Sequence, residues 1–319
     1  MSAVPTALRH PLDPPVFATR PDIRLIAADM DGTLLDDDGD LPADLLPLVR
    51  ELARRRIVFC PASGRQYFNL LERFEEFADE MVFIAENGTY VVRRGREISS
   101  DCLTTGAVTG LVAAARALGR TGADLGAVIC GKRSAYVERR DPRFLAQVEK
   151  YFSRLSVVDD LLRLPDDDVL KVAVFDFGSA EATTAPAFAP FLDHHRVVVS
   201  GQHWVDIMNR SANKGEGVRG LQQELGITPA QTMVFGDFLN DLEMMDAAEF
   251  SFAMDNAHPL LRARARYVAP PNSENGVVRT ITAVLGLTDL SGQATRPGRL
   301  SLHSTDRGAT LRACTSAKP

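Results

Sequence analysis

The stretch Ile23 to Pro42, IRLIAADMDGTLLDDDGDLP, carries an apolar run straight into two aspartates, Asp29 and Asp31, followed by Gly32 and Thr33. A strand that buries its apolar residues and ends in paired carboxylates gathers like charges, which costs free energy unless a cation or a reaction uses them. Three later segments hold residues of complementary type. CPASGR supplies Ser63, Gly64 and Arg65, NKGEG supplies Lys214, and VFGDFLND supplies Asp237. Asp29, Asp31 and Asp237 offer hard oxygens of the kind Mg²⁺ takes, together with waters and a substrate phosphate.

Two carboxylates one residue apart can divide the labour. One attacks phosphorus as a nucleophile. The second, its side chain held off the metal, protonates the leaving oxygen and later activates water. The expected roles are Asp29 as nucleophile and Asp31 as general acid and base, with Asp31 touching the metal through its backbone carbonyl. Gly32 lacks a Cβ, so backbone N–H groups there can approach a phosphate closely. Ser63 can donate its hydroxyl to a phosphoryl oxygen, and Lys214 supplies a balancing cation. Phosphoryl transfer depends mostly on positioning and charge stabilisation, which this set provides.

These residues have to be brought together by the elements between them. RLIAAD reads as a buried strand, and PADLLPLVRELARRR sets Leu45, Leu48, Val49 and Leu52 on one helical face. IVFCPAS is a strand, RQYFNLLERFEEFA a helix, and MVFIAENG a third strand. Strand–helix alternation with short connections predicts right-handed crossovers and a doubly wound parallel sheet, an α/β fold. In such a sheet the reactive crevice lies beyond the carboxyl ends of the strands, where each candidate residue falls. TYVVRRGREIS predicts a hairpin around Gly95.

From residue 100 to 197 the rhythm loosens into helices (GAVTGLVAAARALG, PRFLAQVEKYFSRL) and strands (GAVICG, SAYVE, KVAVFDF), an inserted α+β domain with its own core. The rhythm returns at HWVDIMN and continues through KGEGVRGLQQELG, TMVFGD, EFSFAM and NGVVRTITAVLG. The expected organisation is a catalytic core of residues 22–99 and 198–287 interrupted by a cap of residues 100–197. Residues 1–21 and 288–319 are expected to be flexible extensions, being rich in Pro at one end and in Ser, Thr, Arg and Gly at the other.

A chain of 319 residues, 45% hydrophobic and 24% charged, has ordinary globular composition and suffices for two domains. A net charge of −6 without a long basic block argues against nucleic acid or an anionic membrane as the main partner. Cys60, Cys102, Cys130 and Cys314 show no metal-like spacing, as in a reduced, intracellular protein. No apolar run reaches the roughly 18 to 20 residues of a membrane span, and the N-terminus lacks the apolar stretch of a signal peptide. A cytoplasmic protein acting on a small phosphorylated metabolite is expected.

Taken in order and spacing, DMDGTLL, SGR, NKGEGV and GDFLNDLEMM…AMDNA…ENGV resemble the four motifs of the haloacid dehalogenase superfamily, most nearly its Cof-type phosphatases with a large α+β cap. The resemblance spans about residues 23 to 287, the cap matching in length and position alone. It implies Mg²⁺-dependent hydrolysis of a phosphomonoester, such as a sugar phosphate, through an aspartyl-phosphate. It places Asp29, Asp31, Ser63, Lys214 and Asp237 on the family's functional positions. Asp241 falls on an outer-shell or water-mediated metal contact, Asn240 near the phosphate, and Asn87 facing the substrate. Ser63 stands where the family often has Thr, and Phe238-Leu239 replace smaller or polar residues.

Other features read more plainly. DDDGD lacks the ligand spacing of a calcium loop and LPDDDV is an acidic turn. His194, His195 and His203 lack a third ligand, and Trp204 reads as core. Arg65 divides evenly between a phosphate contact and a local ion pair. Lys132, Arg133, Tyr136 and Lys171 are each weak candidates for substrate contact. The rival functions are a phosphomutase of the same superfamily and a receiver-like phosphate-binding module. A receiver needs only about 120 residues and no large insertion, which disfavours the latter.

Overall fold

The computed structural model describes residues 14, 15, 17, 19–163 and 166–287. Most of both expected extensions lies outside them, as does Cys314.

The core sheet begins with β1 (Leu25–Ala28), whose four residues are all buried, and β2 (Val58–Pro61). Helix α1 (Leu45–Arg54) joins them and buries Leu45, Leu48, Val49 and Leu52 against the sheet. Helix α2 (Tyr67–Arg73) leads to β3 (Val82–Ala85), then β4 (Tyr90–Arg93) and β5 (Arg96–Ser100). The β4–β5 hairpin turns at Arg94 and Gly95, both at positive φ, as a two-residue turn requires.

The insertion carries α3 (Thr105–Arg120), β6 (Leu125–Gly131), β7 (Ala135–Val137), α4 (Pro142–Val148), β8 (Leu155–Val157) and β9 (Val169–Asp176). The one-turn α5 (Ala185–Ala187), β10 (His195–Gly201) and β11 (Trp204–Asn209) complete it. Then come α6 (Lys214–Leu225), β12 (Thr232–Gly236), α7 (Leu242–Met245), β13 (Phe250–Met254), α8 (Pro259–Arg264), β14 (Tyr267–Ala269) and α9 (Gly276–Leu285).

The core strands run parallel in the order β14-β13-β12-β1-β2, and a parallel bridge between Ala62 and Ile84 extends the row to β3. The chain leaves β1 toward β2 on one side and returns through β12 on the other, so the switch point lies at β1. The cap sheet has the order β10-β11-β9-β6-β7-β8, antiparallel except between β7 and β8. Alternate residues of β9 serve two cores: Val172 and Val174 meet α3, whereas Ala173 and Phe175 lie on the α4 side with Trp204.

Two expectations need correction. HWVDIMN reads as a strand of the returning core, yet β11 pairs antiparallel with β9 and β10, so the inserted sheet runs to Asn209 rather than ending at residue 197. An isolated strand pattern gives its faces but not its sheet, and the run that precedes it, HRVVVSG, supplies the hairpin partner. The helix expected across PRFLAQVEKYFSRL ends at Val148. Phe152 turns into the cap core, and Leu155 starts β8.

Candidate active site

Strand register assembles the acids. Ala28 stands opposite Phe235 in the β1–β12 ladder, and Asp29 N–H donates to Phe235 O at 3.0 Å. The residues that follow, Asp29 and Asp237, therefore leave adjacent parallel strands side by side. On the other flank Ala62 N–H donates to Ala28 O at 2.8 Å, which sets Ser63 beside the same crevice. Behind β1, Met30–Leu34 forms a tight turn with Gly32 at φ +77. A Cβ on Gly32 would lie 2.3 Å from Asp237 Oδ2, so only glycine leaves this carboxylate its place.

Lys214 is the first residue of α6, whose N-cap Asn213 accepts from Glu216 N–H at 2.9 Å. Its ammonium is wholly buried, donating to Asp29 Oδ1 at 2.5 Å and to Asp241 Oδ1 at 2.7 Å. Burial alone would depress the Lys214 pKa; Asp241 and Asp29 more than offset this and push it up. Burial drives Asp29 well above the usual carboxylate range, with Lys214 opposing and Asp241 and Asp237 reinforcing. Asp237 is pushed up to about 7, by burial first and then by Asp241, while Thr33 Oγ1 donates to its Oδ1 at 3.1 Å.

Among the described residues, Asp29, Asp237 and Asp241 form an acidic group with oxygens within 4.8 Å of one another. Three carboxylates around one ammonium leave an excess of negative charge, and a divalent cation fits that donor set. Asp241 spends Oδ1 on Lys214 and Oδ2 on the N–H groups of Asp237 and Phe238, at 3.1 and 3.3 Å. The carboxylates left to face a cation directly are Asp29 and Asp237.

Asp31 points elsewhere. Arg65 grips it through Nε to Oδ2 at 2.8 Å and Nη2 to Oδ1 at 2.5 Å. The same guanidinium donates to Asn69 Oδ1 and Lys150 O and lies 4.9 Å from the Tyr151 ring centroid. Arg65 is thus the local ion-pair partner of Asp31, and it reaches into the cap. Ser63 Oγ accepts from Arg65 N–H at 3.1 Å, which leaves its own proton free to be donated.

A cavity of about 500 Å³ separates this floor from the cap. Asp29, Asp31, Ser63, Gly64, Asp237 and Asn240 line it below, and Tyr151, Phe175, His203 and Trp204 line it above. Four expected positions do not line it: Lys214 is buried behind Asp29, and three others lie elsewhere. Gly32 lies under Asp237, Asp241 is fully buried, and Asn87 gives its amide to Asp206 Oδ2 at 2.6 Å while accepting from Asn240 at 3.1 Å. Asn87 therefore turns to Asp206 of the cap rather than into the cavity.

Glu86 and Asp206 join Lys171, a weak candidate from the sequence, in a buried cluster beside the site. Lys171 ion-pairs with both carboxylates, at 2.9 and 3.1 Å, and all three are buried. Burial works against the Lys171 charge, yet Asp206 and Glu86 push its pKa up. The signal is a charge set within apolar strand residues, Lys171 in KVAVFDF and Asp206 in HWVDIMN. Thr33, like Glu86 and Asp206, is not among the expected site residues.

The model for haloacid dehalogenase-like hydrolases matches residues 26–281. A 5-amino-6-(5-phospho-D-ribitylamino)uracil phosphatase of Escherichia coli is 34% identical over 272 residues, 82% of this chain and 96% of that protein. A Bacillus subtilis phosphatase of the same name is 26% identical over 82% of this chain and 98% of its own. The crystal structure of SMU.1108c from Streptococcus mutans superposes with a TM-score of 0.75 at 25% identity, covering 83% of this chain and 99% of that one. The chain belongs to the haloacid dehalogenase-like hydrolases, as a phosphatase of their Cof-type branch.

Proposed function

We propose that this protein is a Mg²⁺-dependent phosphatase that frees inorganic phosphate from a small phosphorylated metabolite through a phosphoryl group carried on Asp29. The observation that carries the reading is the convergence of Asp29, Asp237, Asp241 and Lys214, from opposite ends of the chain, beneath a cavity of about 500 Å³. Binding without turnover would need no carboxylate such as Asp31 at the cavity wall.

Asp29 and Asp237 would hold the ion, with Asp31 contributing its backbone carbonyl and Asp241 acting through water. When bound, Mg²⁺ supplies positive charge that screens the phosphoryl oxygens and the clustered carboxylates. Asp29 attacks phosphorus, forming an acyl-phosphate bond as the ester P–O bond breaks. Ser63 donates its hydroxyl to a phosphoryl oxygen, and Lys214 balances the charge on Asp29. Asp31 gives a proton to the departing oxygen, then takes one from water that attacks the phosphoenzyme. Both steps require Asp31 to leave Arg65, so the Arg65 pair is a resting arrangement.

The substrate reading is supported by the cap wall. Tyr151 and Phe175 pack edge-on to Trp204 at 5.6 and 5.0 Å between ring centroids, and His203 stands 5.5 Å from Phe175. Such a wall suits a leaving group bearing a planar ring better than a bare sugar. Two relatives are named for a phosphoribitylamino-uracil, which has that composition. The test is phosphate release from a panel of phosphomonoesters with Mg²⁺ and with chelator. Metal-dependent release without a bisphosphate activator supports hydrolysis. Release that needs such an activator indicates the mutase, and release unaffected by chelator contradicts the metal assignment.

A further inference from the structure

We propose that Lys171, a cap residue, is a positioning residue that sets the phosphate-binding loop of the core by pinning the carbonyl of Gly64. The inference rests on the phosphatase reading above. Three successive carbonyls of that loop are held from one side. Ser63 O accepts from Asn87 N–H at 2.9 Å, Arg65 O from Glu86 N–H at 3.0 Å, and Gly64 O from Lys171 Nζ at 2.8 Å. Two of the three donors are core backbone. The middle one crosses from the cap.

The middle carbonyl has the most direct consequence. In a planar trans peptide the C=O and the following N–H point in opposite directions. Pinning Gly64 O therefore aims the Arg65 N–H the other way, and that N–H donates to Ser63 Oγ at 3.1 Å. A hydroxyl that accepts a fixed donor keeps its rotamer, and its own proton is then directed at a neighbouring acceptor. Lys171, which itself lines the cavity, thus acts on the phosphoryl group through Ser63.

The ammonium is itself anchored. It sits between Glu86 Oε2 and Asp206 Oδ1, and Asp206 Oδ2 accepts from Asn87, whose amide also meets Asn240. Glu86 and Asn87 adopt φ of +51 and +59, a backbone region that costs a non-glycine residue energy and persists only where its surroundings enforce it. Among the described residues neither Glu86 oxygen has a hydrogen bond, so Lys171 is the charge that compensates it. The cap strands β9 and β11 thereby complete a loop that the core cannot complete alone.

Removing Lys171 alone would strand two buried carboxylates, so the variant to make is K171M/D206N, which leaves only Glu86, a carboxyl that burial already pushes toward its neutral form. Turnover is followed on acetyl phosphate, whose leaving group carries no ring to meet the cap wall, and on the best ring-bearing substrate from the panel. We expect kcat to fall on the order of tenfold to a hundredfold, by the same factor on both substrates. In a double-mutant cycle with S63A the combined variant should be no slower than about the S63A enzyme, because both changes remove one interaction. D206N alone, which keeps the ammonium but loosens its anchor, should give the same pattern at smaller amplitude even where the double variant fails to fold.

A loss confined to the larger substrate would make Lys171 a substrate contact and overturn the proposal. So would losses that multiply with S63A, or a folded K171M/D206N or D206N enzyme with unchanged kcat. A wild-type enzyme that hydrolyses none of these phosphates would instead refute the phosphatase reading itself.

Discussion

At the residue scale the site is an exercise in crowded charge. Burial and mutual repulsion raise Asp29, and they carry Asp237 up to about 7. The sign of the consequence follows from linkage. A carboxyl whose folded pKa exceeds its unfolded value of 3.8 holds its proton more tightly when folded, so ionising it weakens the fold. The metal-free protein should therefore lose stability from this cluster as pH rises between about 4 and 7, and level off above. A cation binds only the ionised form, so the Mg²⁺-induced rise in Tm should grow across that window. Thermal unfolding with chelator and with Mg²⁺ across the range checks this, and a Mg²⁺ shift independent of pH would contradict it.

Arg65 gives a second prediction at this scale. Lysine cannot reproduce its two-pronged grip on Asp31 nor its stacking on Tyr151. Arg65→Lys should lower kcat by on the order of tenfold, because the loop that carries Ser63 loses its tie to Lys150 O and Tyr151 of the cap. Steady-state kinetics on the folded variant decides it, and an unchanged kcat would remove Arg65 from the account.

At the element scale, each functional group stands at the end of a strand or the start of a helix, so errors in an element move the chemistry. Lys214 opens α6, and Asn213 caps it. Asn213→Ala should cost about 1 kcal/mol of stability and lower kcat as well, since fraying the first turn displaces the ammonium. Denaturant unfolding alongside kinetics tests the pair of effects, and a stability loss with full activity would separate them. Strand ends were also what the sequence showed best: an apolar run followed by acid in IRLIAADMD and TMVFGD places Asp29 and Asp237 without further information. The sheet to which β11 belongs was not legible, because alternation fits either a core or a cap strand. The partners of Lys171 were hidden for a related reason. A lone charge in a buried strand signals a partner but does not name one, and Glu86 and Asp206 lie 85 and 35 residues away along the chain.

At the scale of the whole molecule, the cap is docked on the core in this structure. Gln66 and Arg154 exchange hydrogen bonds, Gln66 Nε2 to Arg154 O at 2.9 Å and Arg154 N–H to Gln66 Oε1 at 2.8 Å. Arg154 lies over the Phe68 ring at 3.5 Å, and Arg196 of the cap pairs with Glu243 of the core. A docked cap excludes water from the first chemical step and presents its aromatic wall to the leaving group. Trp204→Leu should therefore reduce kcat/KM for ring-bearing substrates on the order of tenfold while sparing acetyl phosphate. An equal loss on both would show that the wall supports the fold rather than selecting the substrate. No helix among the described residues is long and apolar enough to cross a membrane.

Hydrolysis at this site turns on Asp29 taking the phosphoryl group, and the direct measurement is to trap it. Enzyme mixed with Mg²⁺ and an excess of the best substrate is quenched in acid during turnover, digested, and analysed by mass spectrometry. The predicted result is the mass of one phosphoryl group on the peptide that contains Asp29, absent when chelator replaces Mg²⁺ and absent in Asp29→Asn. A phosphoryl group on another residue, or phosphate release by Asp29→Asn at the wild-type rate, would contradict it.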